Sequence, residues 1–180
     1  MRLPFFNTLY GQIVVDRFID WAMRKPVAIY IGGKEDPYLI RRYILPRNRV
    51  FNIYFHLFMR SDDDRALHDH PWWNISILLR GHYLEHLACA WNKTKAEPGG
   101  FYALPRGPGD IVARGAETAH RIQLPQDGKG MPVPAVTLFL TGPTLREWGF
   151  YCAQGWKHWK DFTAFRTKGS SEQVGPGCGD

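Results

Sequence analysis

Long apolar runs are missing from this sequence. No stretch approaches the roughly 18 consecutive apolar residues that a membrane span requires. The N-terminal segment MRLPFFNTLYGQ also lacks the continuous apolar core of a signal peptide. Both absences argue against membrane-spanning and secreted classes, and they predict a soluble protein that does not act at a membrane.

Cysteine is scarce, and the three cysteines lie far apart. Cys89, Cys152 and Cys178 form no Cys-x-x-Cys pair, so the spacing predicts neither a disulfide framework nor a zinc knuckle. Free thiols are typical of a reducing compartment. We therefore expect a cytoplasmic protein whose cysteines are unbonded.

Basic residues exceed acidic ones, but a basic stripe is missing. The net charge is +6 and the isoelectric point is about 9.3. The basic residues are scattered, as the following examples illustrate: Arg41, Arg42, Arg47, Arg49, Arg80, Arg114 and Lys157. Without a basic cluster or a recognition motif, the sequence predicts no nucleic-acid surface. The positive charge favours an anionic small-molecule ligand.

Residues 1–25 predict one amphipathic helix. Apolar residues recur at helical spacing after Asn7, a candidate N-cap. The predicted apolar face contains Leu9, Ile13, Phe18, Trp21 and Ala22. We expect this face to pack on the main domain rather than on a membrane.

Residues 26–167 have the pattern of one all-β domain. Short segments rich in Val, Ile, Tyr and Phe alternate with Gly and Pro, and no helical segment separates them. The predicted strands are VAIYIGG, YLIRRYIL, VFNIYFHLFM, NISILLRGHYLEHLACA, GFYALP, GDIVAR, HRIQL and AVTLFLTGP. This series predicts a sandwich, jelly roll or barrel, whose open sheet edges favour a homodimer. The polar, glycine-rich residues 168–180 predict a flexible tail.

Two histidines stand one residue apart in LHDHPWWNISILLRGHYLE. In an extended segment, residues i and i+2 face the same side, so His68 and His70 project together while Asp69 faces away. Paired imidazoles on one face can bind a metal ion. The alternative is a pair of half-buried histidines held by neighbouring side chains.

The spacing around these histidines resembles the two motifs of the cupin family. In that family the first motif reads G-x5-HxH-x3/4-E-x6-G, and the second reads G-x5-P-x-G-x2-H. His68, His70 and Gly81 match the first motif, and Gly109 and His120 match the second. The resemblance implies a cupin double-stranded β-helix, or jelly-roll barrel, over residues 26–167 with an N-terminal helix.

The sequence also departs from both motifs. Asp62 replaces the first glycine, Gly115 the proline and Glu117 the last glycine. Asn74 occupies the position of the glutamate ligand, so it could give an amide oxygen or a hydrogen bond but no negative charge.

The resemblance implies a divalent transition metal held by His68, His70 and His120. Three neutral imidazoles suit Fe(II), which we favour, and also Zn, Ni, Cu or Mn. Without a carboxylate ligand the ion would keep its full charge and attract an anionic substrate.

Within the cupins, the same segments resemble the thiol dioxygenases of the cysteine dioxygenase type, which hold non-haem iron with three histidines. The resemblance places Arg41, or alternatively Arg42, near the arginine that binds the substrate carboxylate. Thr141 and Phe139 stand where those enzymes have a catalytic tyrosine and its histidine partner, so we expect free cysteine to be a poor substrate. HDHPWW is also similar to small bacterial and phage cupins.

Further candidates for the pocket come from strand alternation. Asn52, Tyr54 and His56 share one face of FNIYFHLFM, and this face either lines the pocket or lies at the surface. Trp72 either walls the pocket or plugs the barrel mouth. For the remaining candidates we expect structural roles: packing or surface positions for His82, His86 and His158, a supporting salt bridge for Glu85, and a lid or dimer contact for Trp148, Trp156 and Trp159.

The sequence therefore predicts a metal-binding cupin that acts on a small anionic molecule, with oxidation by dioxygen at Fe(II) as the leading reaction. Two alternatives remain open. One is a non-enzymatic ligand-binding or structural cupin, such as a bacterial or phage accessory protein. The other is a metal-free isomerase that uses His120 or Tyr54 as acid or base.

Overall fold

The computed structural model of the chain describes residues 1–61, 66–88, 100–163 and 177–179. A short 3-10 turn at Pro4–Asn7 precedes helix α1 (Leu9–Met23), and a last helical turn, α2, spans Trp159–Phe162. The strands, in chain order, are β1 (Ile29–Ile31), β2 (Leu39–Tyr43), β3 (Asn52–Phe58), β4 (Leu67–His68), β5 (Asn74–Arg80), β6 (Tyr83–Ala88), β7 (Phe101–Arg106), β8 (Ile111–Arg114), β9 (His120–Gln123), β10 (Ala135–Thr141), β11 (Gly149–Cys152) and β12 (Gly155–His158).

The strands form two six-stranded antiparallel sheets. The first has the order β1-β2-β3-β10-β5-β8, and the second has the order β12-β11-β4-β9-β6-β7. Leu39, Phe58 and Leu78 of the first sheet pack against Tyr83 and Ile122 of the second. Because one buried cluster draws on both inner faces, the arrangement is the jelly-roll type that the strand pattern predicts.

Helix α1 covers the outer face of the first sheet, where Val15, Ile19 and Ala22 pack with Phe55 and Val136. Strand β3 is therefore buried on both faces: its odd-numbered residues contact the helix and its even-numbered residues face the barrel interior.

The predicted cap and apolar face of α1 are wrong in register. The N-cap is Thr8 rather than Asn7, since the Thr8 hydroxyl oxygen accepts a hydrogen bond from Gly11 N at 3.0 Å. The buried stripe is Gly11, Val15, Ile19 and Ala22. Of the five residues predicted to be buried, Ala22 is buried and Phe18 is partly buried, whereas Leu9, Ile13 and Trp21 are exposed. A side chain at position 11 would strike the Phe5 carbonyl, which fixes the register.

The expectation of unbonded cysteines is also wrong. Cys152 and Cys178 form a disulfide with a Cα–Cα distance of 5.4 Å. Gly177 contributes to the placement: its nitrogen donates to Phe162 O at 3.2 Å, and its carbonyl accepts from Lys157 Nζ at 2.7 Å. The fold thus joins residues 26 positions apart, a proximity that cysteine spacing alone does not reveal. The prediction of a reducing compartment loses its premise.

Other expectations concern residues outside the described part of the chain. Asp62, Cys89 and most of the predicted tail at 168–180 belong to this group. None of the helices in the described ranges is long and apolar enough to cross a membrane.

The late segment EWGFYCAQGWKHWKDF, predicted as a lid or contact surface, contains the β11–β12 hairpin and α2. The hairpin extends the second sheet, because Phe150 and Tyr151 of β11 pair with His68 and Leu67 of β4. Its strands were not predicted, since the segment lacks a clear apolar and polar alternation.

Candidate metal centre

His68, His70 and His120 converge inside the barrel. His68 on β4 and His120 on β9 are paired residues of neighbouring strands, and His70 follows two residues after His68. The ligand nitrogens of the three rings lie within 4.8 Å of one another, and His70 Nε2 is 2.9 Å from His120 Nε2. The strand geometry thus brings together residues about 50 positions apart in sequence.

Asp69 faces away from the three histidines and is fully buried. One of its carboxylate oxygens accepts hydrogen bonds from Arg146 Nη1 at 2.6 Å and from the Tyr151 hydroxyl at 2.7 Å. The other accepts from Gly149 N at 2.8 Å. These bonds tie the His68–His70 segment to β11, which fixes the direction in which both imidazoles project.

Glu85 supports His120 from behind. Its Oε1 lies 3.2 Å from His120 Nδ1 and accepts from Arg114 Nε at 2.6 Å, while its Oε2 accepts from Arg106 Nε at 2.7 Å. A carboxylate beside Nδ1 favours the tautomer with the proton on Nδ1, which leaves the Nε2 lone pair for a ligand. The predicted salt bridge of Glu85 is present, and it also orients the candidate ligand His120.

Desolvation keeps His70 and His120 neutral. Desolvation, followed by the charge of Arg114, lowers the pKa of His120 to about 3. Desolvation lowers the pKa of His70 well below its usual value, and the neighbouring His68 adds to the effect. Neutral imidazole is the form that binds metals, so no proton has to leave these two rings before coordination.

The three residues fit a divalent transition metal. Two nitrogens bound to one ion at about 2.0–2.1 Å lie at most about 4.2 Å apart, a limit that the 2.9 Å separation of His70 Nε2 and His120 Nε2 meets. The wider bound of 4.8 Å for the group requires a ring movement of a fraction of an ångström. Nitrogen donors on a strand framework suit Fe, Zn, Cu or Ni.

Asn74 lies in the same interior, but its side chain forms a hydrogen bond with an arginine. It is fully buried, and its Oδ1 accepts from Arg114 Nη1 at 3.2 Å. Its Nδ2 has no hydrogen-bond partner within the described residues. Arg114 therefore bridges Asn74 and Glu85.

Arg41 and Arg42 point to opposite faces of β2. Arg41 Nε donates to His56 Nε2 at 2.9 Å, and its guanidinium lies 4.7 Å from the centre of the Tyr54 ring. Arg42 instead donates from Nε to Lys25 O at 3.0 Å, beyond the end of α1. Arg41 is thus the arginine that faces the barrel interior.

The interior wall beside Arg41 is aromatic. His56 stacks on Phe139 at 4.8 Å and lies parallel to Tyr54 at 5.8 Å. Burial and the adjacent Arg41 lower the pKa of His56 well below its usual value. Thr141 is fully buried on the same strand face as Phe139, and within the described residues its hydroxyl has no hydrogen-bond partner.

A cavity of about 580 Å³ opens beside the histidines. Its lining includes Arg47, Asn48, Arg49, Asn52, Tyr54 and Trp72. The Trp72 ring also stacks on His70, with ring centroids 4.9 Å apart. Trp72 is therefore a shared wall between the cavity and the three histidines.

Comparison with known proteins addresses the fold. No protein-family model matches the sequence, and the search of curated proteins gave no match. Among solved structures, the DMSP lyase DddQ from Ruegeria pomeroyi superposes with a TM-score of 0.51 at 16% identity, over 81% of this chain and 75% of that one. An RmlC-like cupin from Shewanella frigidimarina gives a TM-score of 0.44 at 14% identity, over 67% and 86% of the chains. A cupin-like protein from Thermotoga maritima gives 0.45 at 14% identity, over 71% and 83%.

The chain has the cupin fold. The superposition at a TM-score of 0.51 concerns architecture alone, and it agrees with the two-sheet topology.

The cupin interior brings together most of the predicted site residues. His68, His70 and His120 form one cluster, and Trp72 and Tyr54 line the adjoining cavity. Arg42 is the exception, because it faces α1. The three histidines expected to have packing or surface roles lie apart from the cluster. The side chain of His86 forms a hydrogen bond with Gln123 at 2.8 Å, that of His158 forms one with Glu147 at 2.8 Å, and His82 is exposed.

Arg114 and Arg146 are site residues that the sequence did not predict. Both are distant in sequence from the carboxylates they bind, Glu85 and Asp69. A weak signal exists for Arg114, since it ends the GDIVAR strand at an inward position. Nothing in the local sequence points to Arg146.

Proposed function

We propose that this cupin is a metal-dependent enzyme that acts on a small organic anion, with oxidation by dioxygen at Fe(II) as its reaction. The observation that carries the proposal is the convergence of three histidines within 4.8 Å in an interior with excess positive charge. Arg41, Arg106 and Arg114 face this interior, and the carboxylate of Glu85 pairs with Arg106 and Arg114.

Positive charge in a partly desolvated site attracts anions strongly. In the described residues no carboxylate forms an ion pair with Arg41. Its guanidinium offers planar donors suited to a carboxylate. We therefore propose that Arg41 binds the acidic group of the substrate.

The protein groups around the histidines have separate tasks. Glu85 holds the proton on His120 Nδ1, and Asp69 holds the direction of His68 and His70. Trp72 and Phe139 are apolar walls that keep water from the reacting atoms. Bound Fe(II) would supply redox chemistry and coordination positions for substrate and dioxygen, and Zn, Ni, Cu or Mn remain alternatives.

The test combines metal analysis, titration and oxygen uptake. Protein purified without an affinity tag or chelator is expected to contain near-stoichiometric metal. Replacement of His68, His70 or His120 by Ala should weaken divalent-metal binding by orders of magnitude. The exposed His82→Ala variant is the control and should bind metal as the wild type does. Equal binding by all variants would contradict the metal site.

The reaction is tested with the iron-loaded protein in an oxygen electrode, against a panel of thiols, diketones and hydroxy acids. The proposal expects uptake with at least one carboxylated compound and its loss in His120→Ala. Uptake that persists in His120→Ala would refute chemistry at this centre.

One observation favours the non-enzymatic alternative. Phe139 and Thr141 offer no acidic hydroxyl next to the histidines, unlike the tyrosine that the thiol dioxygenase resemblance implies. A ligand-binding cupin would retain metal and anion binding but show no turnover across the panel. A metal-free isomerase, using His120 or Tyr54, would instead turn over after chelation.

A further inference from the structure

The cavity beside the three histidines has features of a built binding site that the proposed centre does not require. Its volume of about 580 Å³ lies within the range of roughly 300–1,000 Å³ typical of sites for drug-sized ligands. This is more space than a small aliphatic acid would fill. The cavity therefore has room for a larger ligand.

The rim of the cavity is held in a fixed shape by asparagine side chains. Asn52 Oδ1 accepts from Asn48 N at 2.9 Å, and Asn52 Nδ2 donates to Asn48 O at 3.0 Å. Asn48 Oδ1 accepts from the nitrogens of Val50 and Phe51, each at 2.9 Å, and its Nδ2 donates to Phe51 O at 2.6 Å. A connecting segment with this many internal bonds is preorganised.

This fixed segment carries two arginines, Arg47 and Arg49, into the lining of the cavity. Among the described residues, the side chains that line the cavity include no carboxylate. Neither arginine forms an ion pair or a side-chain hydrogen bond in the part of the chain that the structure describes. The positive charge of Arg47 also reaches Arg41, whose pKa is lowered mainly by burial and to a small extent by Arg47. Two positive charges in one cavity lining, with no carboxylate paired to them among the described residues, favour the binding of an anion.

The inner walls of the cavity are aromatic. Tyr54 and Trp72 both line it. Each ring is held in place: Trp72 stacks on His70 and Tyr54 lies parallel to His56. Aromatic walls next to a cationic rim match a flat, partly apolar molecule with an acidic group.

We propose that this cavity binds a planar aromatic anion, an aryl carboxylate or aryl phosphate, with its acidic group on Arg47 and Arg49 and its ring against Tyr54 and Trp72. This inference goes beyond the proposed function: Trp72 joins the cavity to the three histidines, but the anion on Arg47 and Arg49 is distinct from the substrate group assigned to Arg41. It predicts that binding needs no metal.

The experiment is calorimetric titration of the full chain in excess chelator. The main probe is phenyl phosphate, and benzoate is the carboxylate counterpart. Cyclohexyl phosphate keeps the charge but not the planarity, inorganic phosphate keeps the anion alone, and benzyl alcohol keeps the ring alone. We expect phenyl phosphate or benzoate to bind with saturation. Its affinity should exceed those of the three comparison compounds by about tenfold or more.

Variants separate a specific site from general attraction by a basic protein. The double variant Arg47→Gln/Arg49→Gln should weaken binding by about tenfold or more, because it removes both charge-assisted contacts. The matched control is Arg17→Gln/Arg24→Gln, which removes the same charge from two exposed positions at α1. This control should bind within about twofold of the wild type.

Several results would overturn the inference. These are an equal loss of affinity in both double variants, equal affinity for inorganic phosphate or cyclohexyl phosphate, and the absence of saturable binding by either aromatic probe. A parallel metal titration of the same protein keeps the two proposals distinguishable. Aromatic binding without metal binding would refute the proposed function but keep the cavity, and metal binding without aromatic binding would do the reverse.

Discussion

Replacing Glu85 with Gln tests whether the buried carboxylate supports both the fold and the candidate metal ligand. Glu85 is fully buried and pairs with Arg114 and Arg106, whose side chains are 2% and 18% exposed. Glu85→Gln keeps the shape but removes the charge, so two buried guanidiniums lose their counter-ion. Breaking a buried ion pair in this way costs about 3–5 kcal/mol, and we expect the lower end because Arg106 is partly hydrated.

The same substitution should weaken metal binding for a separate reason. Glu85 Oε1 lies 3.2 Å from His120 Nδ1 and favours the tautomer that leaves Nε2 free. Loss of such a supporting carboxylate typically lowers metal affinity by about 10- to 100-fold, which corresponds to about 1.4–2.7 kcal/mol. A side-chain amide can still accept a hydrogen bond, so the effect should lie toward tenfold.

The assays are urea denaturation of the metal-free protein and a zinc competition titration of the folded protein. Asp110→Asn is the matched control: it removes a carboxylate from an arginine pair in which the Arg2 side chain is 54% exposed. We expect that control to cost less than about 1 kcal/mol and to leave zinc affinity unchanged. If Glu85→Gln behaves like Asp110→Asn in both assays, the support of His120 by Glu85 is refuted. If Glu85→Gln does not fold, Glu85→Asp, which keeps the charge but withdraws it from His120, should lose metal affinity while retaining more stability.

Three further predictions concern the same interior. Asn74→Glu should raise zinc affinity by about tenfold, because it adds an anionic ligand. Pairing of the new carboxylate with Arg114 limits this increase in affinity. Unchanged affinity in the competition titration would place position 74 outside the metal's reach. His56 and His120 are buried and His70 is partly buried, and all three have lowered pKa values. The unfolded chain therefore binds more protons below about pH 6.5, and the free energy of unfolding should fall as the pH drops, by up to about 1.4 kcal/mol per pH unit for each histidine. His56→Gln should remove one third of that slope between pH 6 and pH 5 in urea denaturation with chelator, and an unchanged slope would contradict the assignment. Arg41→Gln should raise the metal-free melting temperature by a few degrees, because it removes a partly buried charge that has no carboxylate partner among the described residues. The same substitution should raise KM for a carboxylated substrate more than it lowers kcat. A melting temperature that falls would show that Arg41 stabilises the fold.

The parts of the fold that the sequence predicts are those with strong local patterns. Short segments rich in apolar and aromatic residues mark β3, β5 and β10. The resemblance to the two cupin motifs brings His68, His70 and His120 together, and these three form a cluster. The short strand β4 has no periodicity of its own because it contains two residues. The predicted strands do not include it, and only the His68-x-His70 spacing indicated an extended segment there.

The register of α1 could not be predicted because apolar residues surround the helix. Leu9, Ile13 and Trp21 have helical spacing, yet they lie on the exposed side. The choice between the two apolar stripes depends on tertiary contacts, above all on the close approach of Gly11 to the Phe5 carbonyl. Local spacing carries no information about that contact.

Polar pairs between residues distant in sequence were also not predicted from the sequence. Asp69 binds Arg146, which is 77 residues away, and Glu85 binds Arg114, which is 29 residues away. Each single residue looks like an ordinary surface charge in the sequence. Their partners become visible only when the sheets are assembled, and the same holds for Cys152 and Cys178.

Asn74 stands where the cupin motif has a glutamate, and its contacts show what a carboxylate at this position would disturb. A carboxylate at this position would compete with Glu85 for Arg114, which now contacts Glu85 Oε1 through Nε and Asn74 through Nη1. With an amide at position 74, Arg114 stays paired with Glu85, and Glu85 stays beside His120. The negative charge of Glu85 thus lies beside the candidate ligand His120. A bound ion would therefore be held by neutral ligands and keep its charge for an anionic substrate, while the carboxylate still sets the orientation of one ligand.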